Sequence, residues 1–246
     1  MSTDIMSTEE MIFLSLRFRE EGFPADEALC AHFLQFYRLL TEKNKVMNLT
    51  AITDFQEAVE KHFLDSLALF RDVDAKSVSS MIDVGCGAGF PGMPIKLLYP
   101  QISVTFADSV GKKIRFISEA ASELGLSGVR PVHARAEDLA RQKDYRERFD
   151  LCTSRAVARL AALSEYCLPF VKKDGLFVAY KGGDCEEELQ EADHALRTLG
   201  GEVEKVDTFD LGEMRRSLIL VRKVRSTPAR FPRKAGVPGK EPLLAK

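Results

Sequence analysis

From about residue 80 onward, short apolar runs alternate with segments of helical periodicity. The apolar runs are SMIDV, ISVTFAD, VRPVHA, FDLCTSRA and GLFVAYK. Between two of them, KKIRFISEAASELG places apolar side chains on one helical face: Ile114, Ile117, Ala121 and Leu124. Strands separated by helices pair in parallel, because each helix carries the chain back along the sheet. The alternation predicts an α/β fold with a mainly parallel sheet and helices on both of its faces.

The last two apolar runs break this alternation. GEVEKVDTFDL and SLILVRKV follow each other without an insert long enough for a helix. Successive strands joined by a short connection pair antiparallel. We therefore expect these runs to form an antiparallel hairpin at one end of the sheet.

The first third of the chain has helical patterning instead. Ser7 and Glu10 are spaced as a capping box, and Gly22 is placed to end the first helix. Asp54 and Glu57 are spaced as the start of a third helix. Apolar side chains recur at helical spacing in two segments: Leu29, Phe33, Phe36, Tyr37 and Leu40, then Val59, Phe63, Leu67 and Phe70. These apolar faces are expected to pack in a core.

Composition and charge exclude several classes of protein. No apolar run approaches the length of about 18 residues needed to span a membrane. The N-terminus carries acids where a signal peptide has basic residues. The five cysteines are far apart and form no C-x-x-C pair: Cys30, Cys86, Cys152, Cys167 and Cys185. We expect reduced thiols in a cytoplasmic protein, without a metal site.

A cluster of glycines follows the first predicted strand. In MIDVGCGAGFPGMPIKL, four glycines fall within eight residues: Gly85, Gly87, Gly89 and Gly92. A strand precedes them, a helix follows, and Asp108 ends the next strand, where an acid can accept hydrogen bonds from ribose hydroxyls. This context predicts a site for a nucleoside-containing cofactor. The spacing differs from the dinucleotide G-x-G-x-x-G pattern, and no G-K-[ST] of a P-loop follows.

The run DVGCGAG resembles the first motif of class I methyltransferases that use S-adenosylmethionine. A longer ordered set is more specific: NKVMNLTAI, KHFLDSL, DVGCGAGFPGMPIKL, DSVGKKIRFI, ARAEDLA, SRAVARL and AYKGG. Together these stretches resemble the bacterial family that makes 7-methylguanosine in 16S ribosomal RNA, also called glucose-inhibited division protein B. The resemblance implies a Rossmann-like, seven-stranded class I sheet with one antiparallel strand, preceded by a helical region.

The resemblance also implies which residues hold the donor, S-adenosylmethionine. The cofactor-binding positions are Asp83, Gly85, Gly87, Gly89, Phe90, Asp108, Ser109, Ala136, Glu137 and Arg155. The family places Asp83 near the donor's charged tail. Asp108 and Ser109 match positions beside the adenosine, and Ala136 and Glu137 match a pair near the adenine. Phe90 is a candidate for packing on the donor, with a plain core phenylalanine as the alternative.

Arg155 and Lys181 are the candidate catalytic residues. Arg155, in SRA, matches an arginine facing donor and acceptor; it could clamp an RNA phosphate or bond the guanine edge. The alternative for Arg155 is a surface ion pair. Lys181 could attract the RNA backbone or simply be solvated. His62 and Asp65 could form an acid–base pair, but a structural hydrogen bond joining helices to sheet is favoured.

The implied reaction needs little acid–base chemistry. Guanine N7 carries an exposed lone pair and is not protonated at neutral pH, so no general base is required. The expected enzyme positions N7 in line with the methyl group and excludes water, an effect that can contribute about 7–11 kcal/mol. The expected partners are 16S ribosomal RNA or the small ribosomal subunit, with no membrane and no metal, and the protein is expected to be a monomer.

The sequence divides into three parts. We predict a helical cap (residues 1–75), a methyltransferase domain (residues 76–225) and a basic, proline-rich C-terminal tail (residues 226–246). The prolines of the tail predict that it lacks regular structure. The tail's basic residues, and Lys112, Lys113 and Arg115 in GKKIR, could attract RNA phosphates.

Other functions stay open at this point. A methyltransferase acting on a different RNA, a protein or a small molecule would have the same fold and donor site. A non-catalytic RNA-binding or ribosome-assembly protein could keep the cofactor fold. A nicotinamide-dependent oxidoreductase is disfavoured by the glycine spacing.

Overall fold

A computed structural model describes residues 8–245 of the chain. The first helix, α1, spans Thr8–Glu20, and Ser7, its predicted cap, lies outside the described residues. The predicted stop at Gly22 is confirmed. Gly22 has a φ of +78°, and its amide donates to the Arg19 carbonyl at 3.0 Å, which is the left-handed helix end that glycine favours.

The helical cap continues with two further helical segments. Helix α2 (Glu27–Met47) carries the predicted apolar face. Helix α3 (Phe55–Ala58) begins as predicted, because the Asp54 carboxylate accepts from the Glu57 amide at 2.9 Å. The segment then departs from a regular helix: it continues as a π-helical turn (Val59–Leu64), α4 (Asp65–Leu67) and a 3₁₀ turn (Ala68–Arg71). Wide turns of this kind are frequent at functional sites.

The predicted sheet is confirmed. Its strands are β1 (Ser80–Val84), β2 (Ser103–Asp108), β3 (Val129–His133), β4 (Phe149–Arg155), β5 (Val171–Gly182), β6 (Gly201–Leu211) and β7 (Met214–Lys223). They form one seven-stranded sheet in the order β3-β2-β1-β4-β5-β7-β6. Strands β1 to β5 are mutually parallel, and β7 is antiparallel to both β5 and β6. The hairpin predicted from the last two apolar runs is β6–β7.

Helices cover both faces of the sheet. They are α5 (Gly92–Leu98), α6 (Gly111–Glu123), α7 (Ala136–Leu139), α8 (Leu160–Cys167) and α9 (Glu186–Leu199). Alternate strand residues enter opposite cores: Met81 packs with α5, α6 and the helical cap, whereas Ile82 packs with α8 and α9. The helical cap thus shares a core with one face of the sheet. The division at residue 75 stays a prediction.

The C-terminal tail is more ordered than its prolines predicted. It contains one helical turn, α10 (Val237–Lys240), with Pro238 in the first turn. A proline is tolerated there because the amide it lacks has no partner within the helix. The tail also packs on the domain, with the Phe231 side chain buried and Arg233 paired with the buried Glu165.

Three expectations from composition can be compared with the structure. All five cysteines are free and buried, and the reduced-thiol interpretation stays a prediction. None of the helices in residues 8–245 combines the length and the apolar composition of a transmembrane span. The same residues contain no cluster of side chains able to hold a metal ion.

Candidate functional site

A cavity of about 500 Å³ lies at the carboxyl ends of β1 and β2. Ligands of open α/β sheets bind at this edge. Five of the predicted donor residues line the cavity: Gly85, Asp108, Ser109, Ala136 and Glu137. The structure therefore brings together residues from three successive strand-to-helix connections that are far apart in sequence.

The glycine turn (Gly85–Gly92) combines two roles. Gly85 lines the cavity, has a φ of +70°, and donates its amide to the Ala107 carbonyl at 2.8 Å. A Cβ on Gly85 would overlap the Val157 side chain. Gly92 has an internal role, since a Cβ there would overlap the Phe106 ring. Gly85 and Gly92 are therefore needed for the packing of the turn, and the approach of a ligand to Gly85 stays a prediction.

Asp108 ties the glycine turn to the end of β2. Its carboxylate accepts from the Gly87 amide at 3.0 Å and from the Val110 amide at 2.8 Å. The Lys113 ammonium lies 3.9 Å from the same carboxylate. A carboxylate can accept about four hydrogen bonds, so Asp108 keeps the capacity to accept from ligand hydroxyls while it holds the turn.

Asp83 lies beneath the glycine turn and is fully buried. Its Oδ2 accepts from the Gly92 amide at 2.9 Å, at the start of α5. Burial raises the pKa of the Asp83 carboxyl to about 7, although the Gly92 amide and the charge of Arg155 oppose the shift. Asp83 orders the turn from below, and its place beside a donor's charged tail stays a prediction.

Glu137 is buried at the far end of the cavity, in α7. Its Oε1 accepts from the Gly236 amide of the C-terminal tail at 2.8 Å. The carboxylate is thereby fixed by a residue 99 positions away in sequence. Neighbouring Ala136 lines the same end of the cavity.

Phe90 turns away from the cavity towards the helical cap. The ring is buried and stacks on His62, with centroids 4.1 Å apart and planes inclined by 13°. The guanidinium carbon of Arg155 lies 5.2 Å from the Phe90 centroid. Phe90 therefore joins the glycine turn to the helical cap, and a donor contact for it stays a prediction.

Arg155 is largely enclosed between β4 and the helical cap. Its Nη1 donates to the Lys61 carbonyl at 2.9 Å and to the Asp65 carboxylate at 2.8 Å, and 14% of its side chain is exposed. The surface ion pair considered from sequence is wrong. The π-helical turn supplies the Lys61 carbonyl, so the irregular helix and Arg155 are coupled.

Lys181 is also engaged by the protein. Its ammonium donates to the Ala158 carbonyl at 2.9 Å and to Glu188 Oε1 at 2.6 Å, and only 12% of the side chain is exposed. The solvated lysine considered from sequence is therefore wrong. Lys181 braces the loop after β4 against α9, and its attraction of the RNA backbone stays a prediction.

Asp65 has the structural role that the sequence favoured. Its carboxylate accepts from Arg155 on β4 and from Arg216 Nε and Nη2 on β7, at 2.6 and 2.8 Å for Arg216. Asp65 is thus the centre of a buried link between helical cap and sheet. His62 contacts other groups: its Nε2 lies 2.8 Å from the Thr50 hydroxyl and its Nδ1 lies 3.3 Å from Arg155.

Similarity to known proteins agrees with this architecture. The family model described as rRNA small subunit methyltransferase G matches residues 29–219 of the chain. The chain belongs to this family, GidB. A Ribosomal RNA small subunit methyltransferase G of Lachnoclostridium phytofermentans is 46% identical over 230 residues, covering 93% of this chain and 95% of the relative. The corresponding protein of Brevibacillus brevis is 48% identical over 226 residues, covering 91% and 95%.

Solved structures support the fold. TrmN of Thermus thermophilus superimposes with a TM-score of 0.53 at 18% identity, covering 68% of this chain and 53% of TrmN. At this identity the likeness concerns the fold alone. Membership of the GidB family makes the chain a methyltransferase, and the family together with the class I fold indicates use of S-adenosylmethionine.

Further residues line the cavity of this GidB protein and were not predicted from the sequence. They include Val157, Tyr166, Gly236 and Gly239. Val157 follows the end of β4 by two residues, so the rule that ligands bind at strand ends could have indicated it. No local signal pointed to Tyr166 or to the glycines of the tail, because their approach depends on how the tail folds back.

His62 allows a test of pH dependence. Burial, reinforced by the charge of Arg155, lowers the pKa of His62 to about 4, while Asp65 acts in the opposite sense. Between pH 6.5 and 4 the unfolded chain binds a proton at His62 that the folded chain does not, so the contribution of His62 to stability is lost as the pH falls. We expect the free energy of unfolding of the wild type, relative to His62→Gln, to fall by about 3 kcal/mol across this window.

Urea unfolding of both proteins at several pH values measures the difference. Arg155 and Asp65 are present in both proteins, so the comparison isolates His62. Stability curves that run parallel between pH 6.5 and 4 would contradict the prediction.

Proposed function

We propose that this protein transfers the methyl group of S-adenosylmethionine to N7 of a guanine in 16S ribosomal RNA. The observation that carries the proposal is the cavity at the ends of β1 and β2, where Gly85 and Asp108 face the same space. Two relatives named Ribosomal RNA small subunit methyltransferase G align with 93% and 91% of this chain. Their names support ribosomal RNA as the class of substrate.

The residues around the cavity fit the donor. Asp108 supplies carboxylate oxygens for ribose hydroxyls, and Ser109 follows it on the same wall. Gly85 leaves space beside the turn for the amino-acid end, with Gly87 and Gly89 shaping that turn. Ala136 and Glu137 would hold the adenine end. When bound, the donor supplies an electrophilic methyl group on a sulfonium.

We propose that the protein promotes methyl transfer by positioning the guanine base. Guanine N7 already presents a lone pair, so the protein needs to orient the base and exclude water rather than remove a proton. His62, which stacks on Phe90, and Asp83, which accepts from the Gly92 amide, are both buried and hydrogen-bonded. This agrees with a site that has no general base. A single-turnover rate that requires a deprotonated group near neutral pH would argue against it.

Arg155 is proposed as a residue that positions the acceptor side of the site. It spans β4 and the helical cap beside Phe90, outside the wall of the donor cavity. We therefore expect Arg155→Ala to lower the methyl-transfer rate at least about ten-fold, while the Kd for S-adenosylhomocysteine changes less than about two-fold. Single-turnover methylation and calorimetry measure the two quantities.

Arg222→Ala serves as the control for Arg155. Arg222 is paired with Glu204 on the surface of the β6–β7 hairpin, far along the sheet from the glycine turn. The control should leave both quantities unchanged. Equal and small effects of Arg155→Ala on transfer and donor binding would assign Arg155 a purely structural role.

The proposed partner is 16S ribosomal RNA, free or within the small subunit, and the proposed location is the cytoplasm. We propose that the protein acts as a monomer without a metal. The decisive experiment transfers labelled methyl from S-adenosylmethionine to small-subunit RNA and then digests the RNA to nucleosides. Recovery of label in 7-methylguanosine is expected. Label in another nucleoside, or only in protein, would overturn the proposed substrate.

A further inference from the structure

We propose that the distal part of the C-terminal tail, residues 235–243, forms one wall of the donor cavity at its adenine end and is needed for donor affinity. The inference rests on the proposed function, because it concerns the same cavity. It differs from the interpretation drawn from sequence, in which the basic tail serves to attract RNA phosphates.

The tail is anchored before it reaches the cavity. Arg146 donates to the Thr227 and Phe231 carbonyls, both at 2.8 Å. Arg233 forms a bidentate pair with Glu165, whose side chain is completely buried, and the Arg233 amide donates to the same carboxylate at 2.6 Å. Removing one partner of a buried charge pair is costly. This anchor therefore fixes the direction of the residues that follow.

Two glycines then bring the tail to the cavity. Gly236 has a φ of +83°, lines the cavity, and donates its amide to Glu137 Oε1 at 2.8 Å. Gly239 lines the cavity as well and lies against the Tyr166 hydroxyl. A Cβ on Gly239 would lie 3.1 Å from that hydroxyl. The tail is therefore held at two points of the cavity wall, Glu137 on α7 and Tyr166 on α8.

The position of these two points identifies the adenine end. Gly85 stands at the opposite side of the cavity, on the turn after β1, whereas Glu137 follows β3. Asp108, the proposed ribose acceptor, is the last residue of β2 and lies between these two. A nucleoside whose ribose contacts Asp108 and whose amino-acid end points to Gly85 directs its base towards Glu137 and the tail.

The charges of the tail are partly used within the protein. Arg233 is neutralised by Glu165, and the guanidinium of Arg230 lies 5.0 Å from the Phe231 ring centroid. Arg225, just before the tail, donates to the Arg197 carbonyl. These contacts favour formation of the cavity wall, rather than attraction of RNA, as the main role of the tail. The test below distinguishes the two roles.

The test compares two truncations of the full chain. Removing residues 235–246 deletes Gly236 and Gly239 but keeps the anchor at Phe231 and Arg233. Removing residues 244–246 is the matched control, since it keeps every residue of the wall. We expect the longer truncation to raise the Kd for S-adenosylhomocysteine at least about ten-fold by calorimetry, and the control to leave it within about two-fold.

Two further measurements make the result specific. Tyr166→Phe removes the hydroxyl that contacts Gly239 while keeping the ring. It should raise the same Kd by about two- to five-fold even if the longer truncation fails to fold. Methylthioadenosine lacks the amino-acid end of the donor but keeps its adenine. Its affinity should fall by the same factor as that of S-adenosylhomocysteine in the longer truncation. A loss confined to S-adenosylhomocysteine would contradict the assignment to the adenine end.

The outcomes separate this inference from the proposed function. Suppose that the full chain binds S-adenosylhomocysteine and that neither the longer truncation nor Tyr166→Phe changes this binding. That result overturns the proposal that the tail forms a cavity wall, but it leaves the proposed function intact. Unchanged donor binding combined with a reduced salt dependence of RNA binding assigns the tail to RNA instead. A full chain that binds no S-adenosylhomocysteine overturns the proposed function and the wall with it.

Discussion

Asp108→Ala weakens binding of S-adenosylhomocysteine by about 100-fold or more. Asp108 lines the cavity and holds the Gly87 and Val110 amides, so its loss removes the proposed ribose acceptor and loosens the glycine turn at once. Hydrogen bonds to a charged group contribute about 1.5–3 kcal/mol each. The loss of two such hydrogen bonds therefore raises the Kd by at least about two orders of magnitude. Calorimetric titration measures the change.

Two variants control this experiment. Asp138→Ala removes an exposed acid of α7 and should leave the Kd unchanged. Asp108→Asn keeps one acceptor oxygen and should give an intermediate loss, because the NH2 group that replaces the other oxygen cannot accept from a backbone N–H. A Kd for Asp108→Ala within three-fold of the wild type would refute the assignment of Asp108 to the ribose.

Asp65→Ala lowers the free energy of unfolding by about 3–5 kcal/mol. The Asp65 side chain is 4% exposed, and both Arg155 and Arg216 depend on it for a charge partner. Removing it leaves two guanidinium groups in a poorly solvated position between helical cap and sheet. Urea unfolding followed by circular dichroism measures the loss.

Asp210→Ala is the matched control for Asp65. Asp210 is paired with Arg215, but both side chains are more than half exposed. Exposed ion pairs contribute about 0–1 kcal/mol, so this variant should be nearly neutral. Arg216→Ala should cost less than Asp65→Ala, since Asp65 keeps Arg155 as a partner. A loss below about 1 kcal/mol for Asp65→Ala would show that the link between cap and sheet is not a source of stability.

Local patterns in the sequence were sufficient for the architecture. The capping acid at Asp54, the stop at Gly22 and the strand runs were each predicted and are found. These features depend on neighbours within a few residues, which the sequence displays directly. The shape of the third helix was not predictable in this way. Its π-helical turn is coupled to Arg155, a residue on a distant strand.

The candidate site was predicted in part. Gly85, Asp108 and Ala136 reach one cavity because all three lie at or just beyond the carboxyl ends of parallel strands, and these ends share one edge of the sheet. Arg155 and Lys181 also lie at strand ends, yet their side chains turn to Asp65 and Glu188. The position of a residue on its strand determines where its backbone lies in the sheet. The direction of a long charged side chain depends on which opposite charge is within reach.

By itself, the sequence determined the layered α/β class, the antiparallel ending and the glycine turn beside an acid, since each is encoded in spacing along the chain. The tertiary structure alone decided that Asp65 unites two arginines, 90 and 151 positions away. It alone brought Gly236 to Glu137, although prolines and basic residues had indicated an irregular tail. The physical reason is that burial and charge pairing act between surfaces that meet only after the chain has folded.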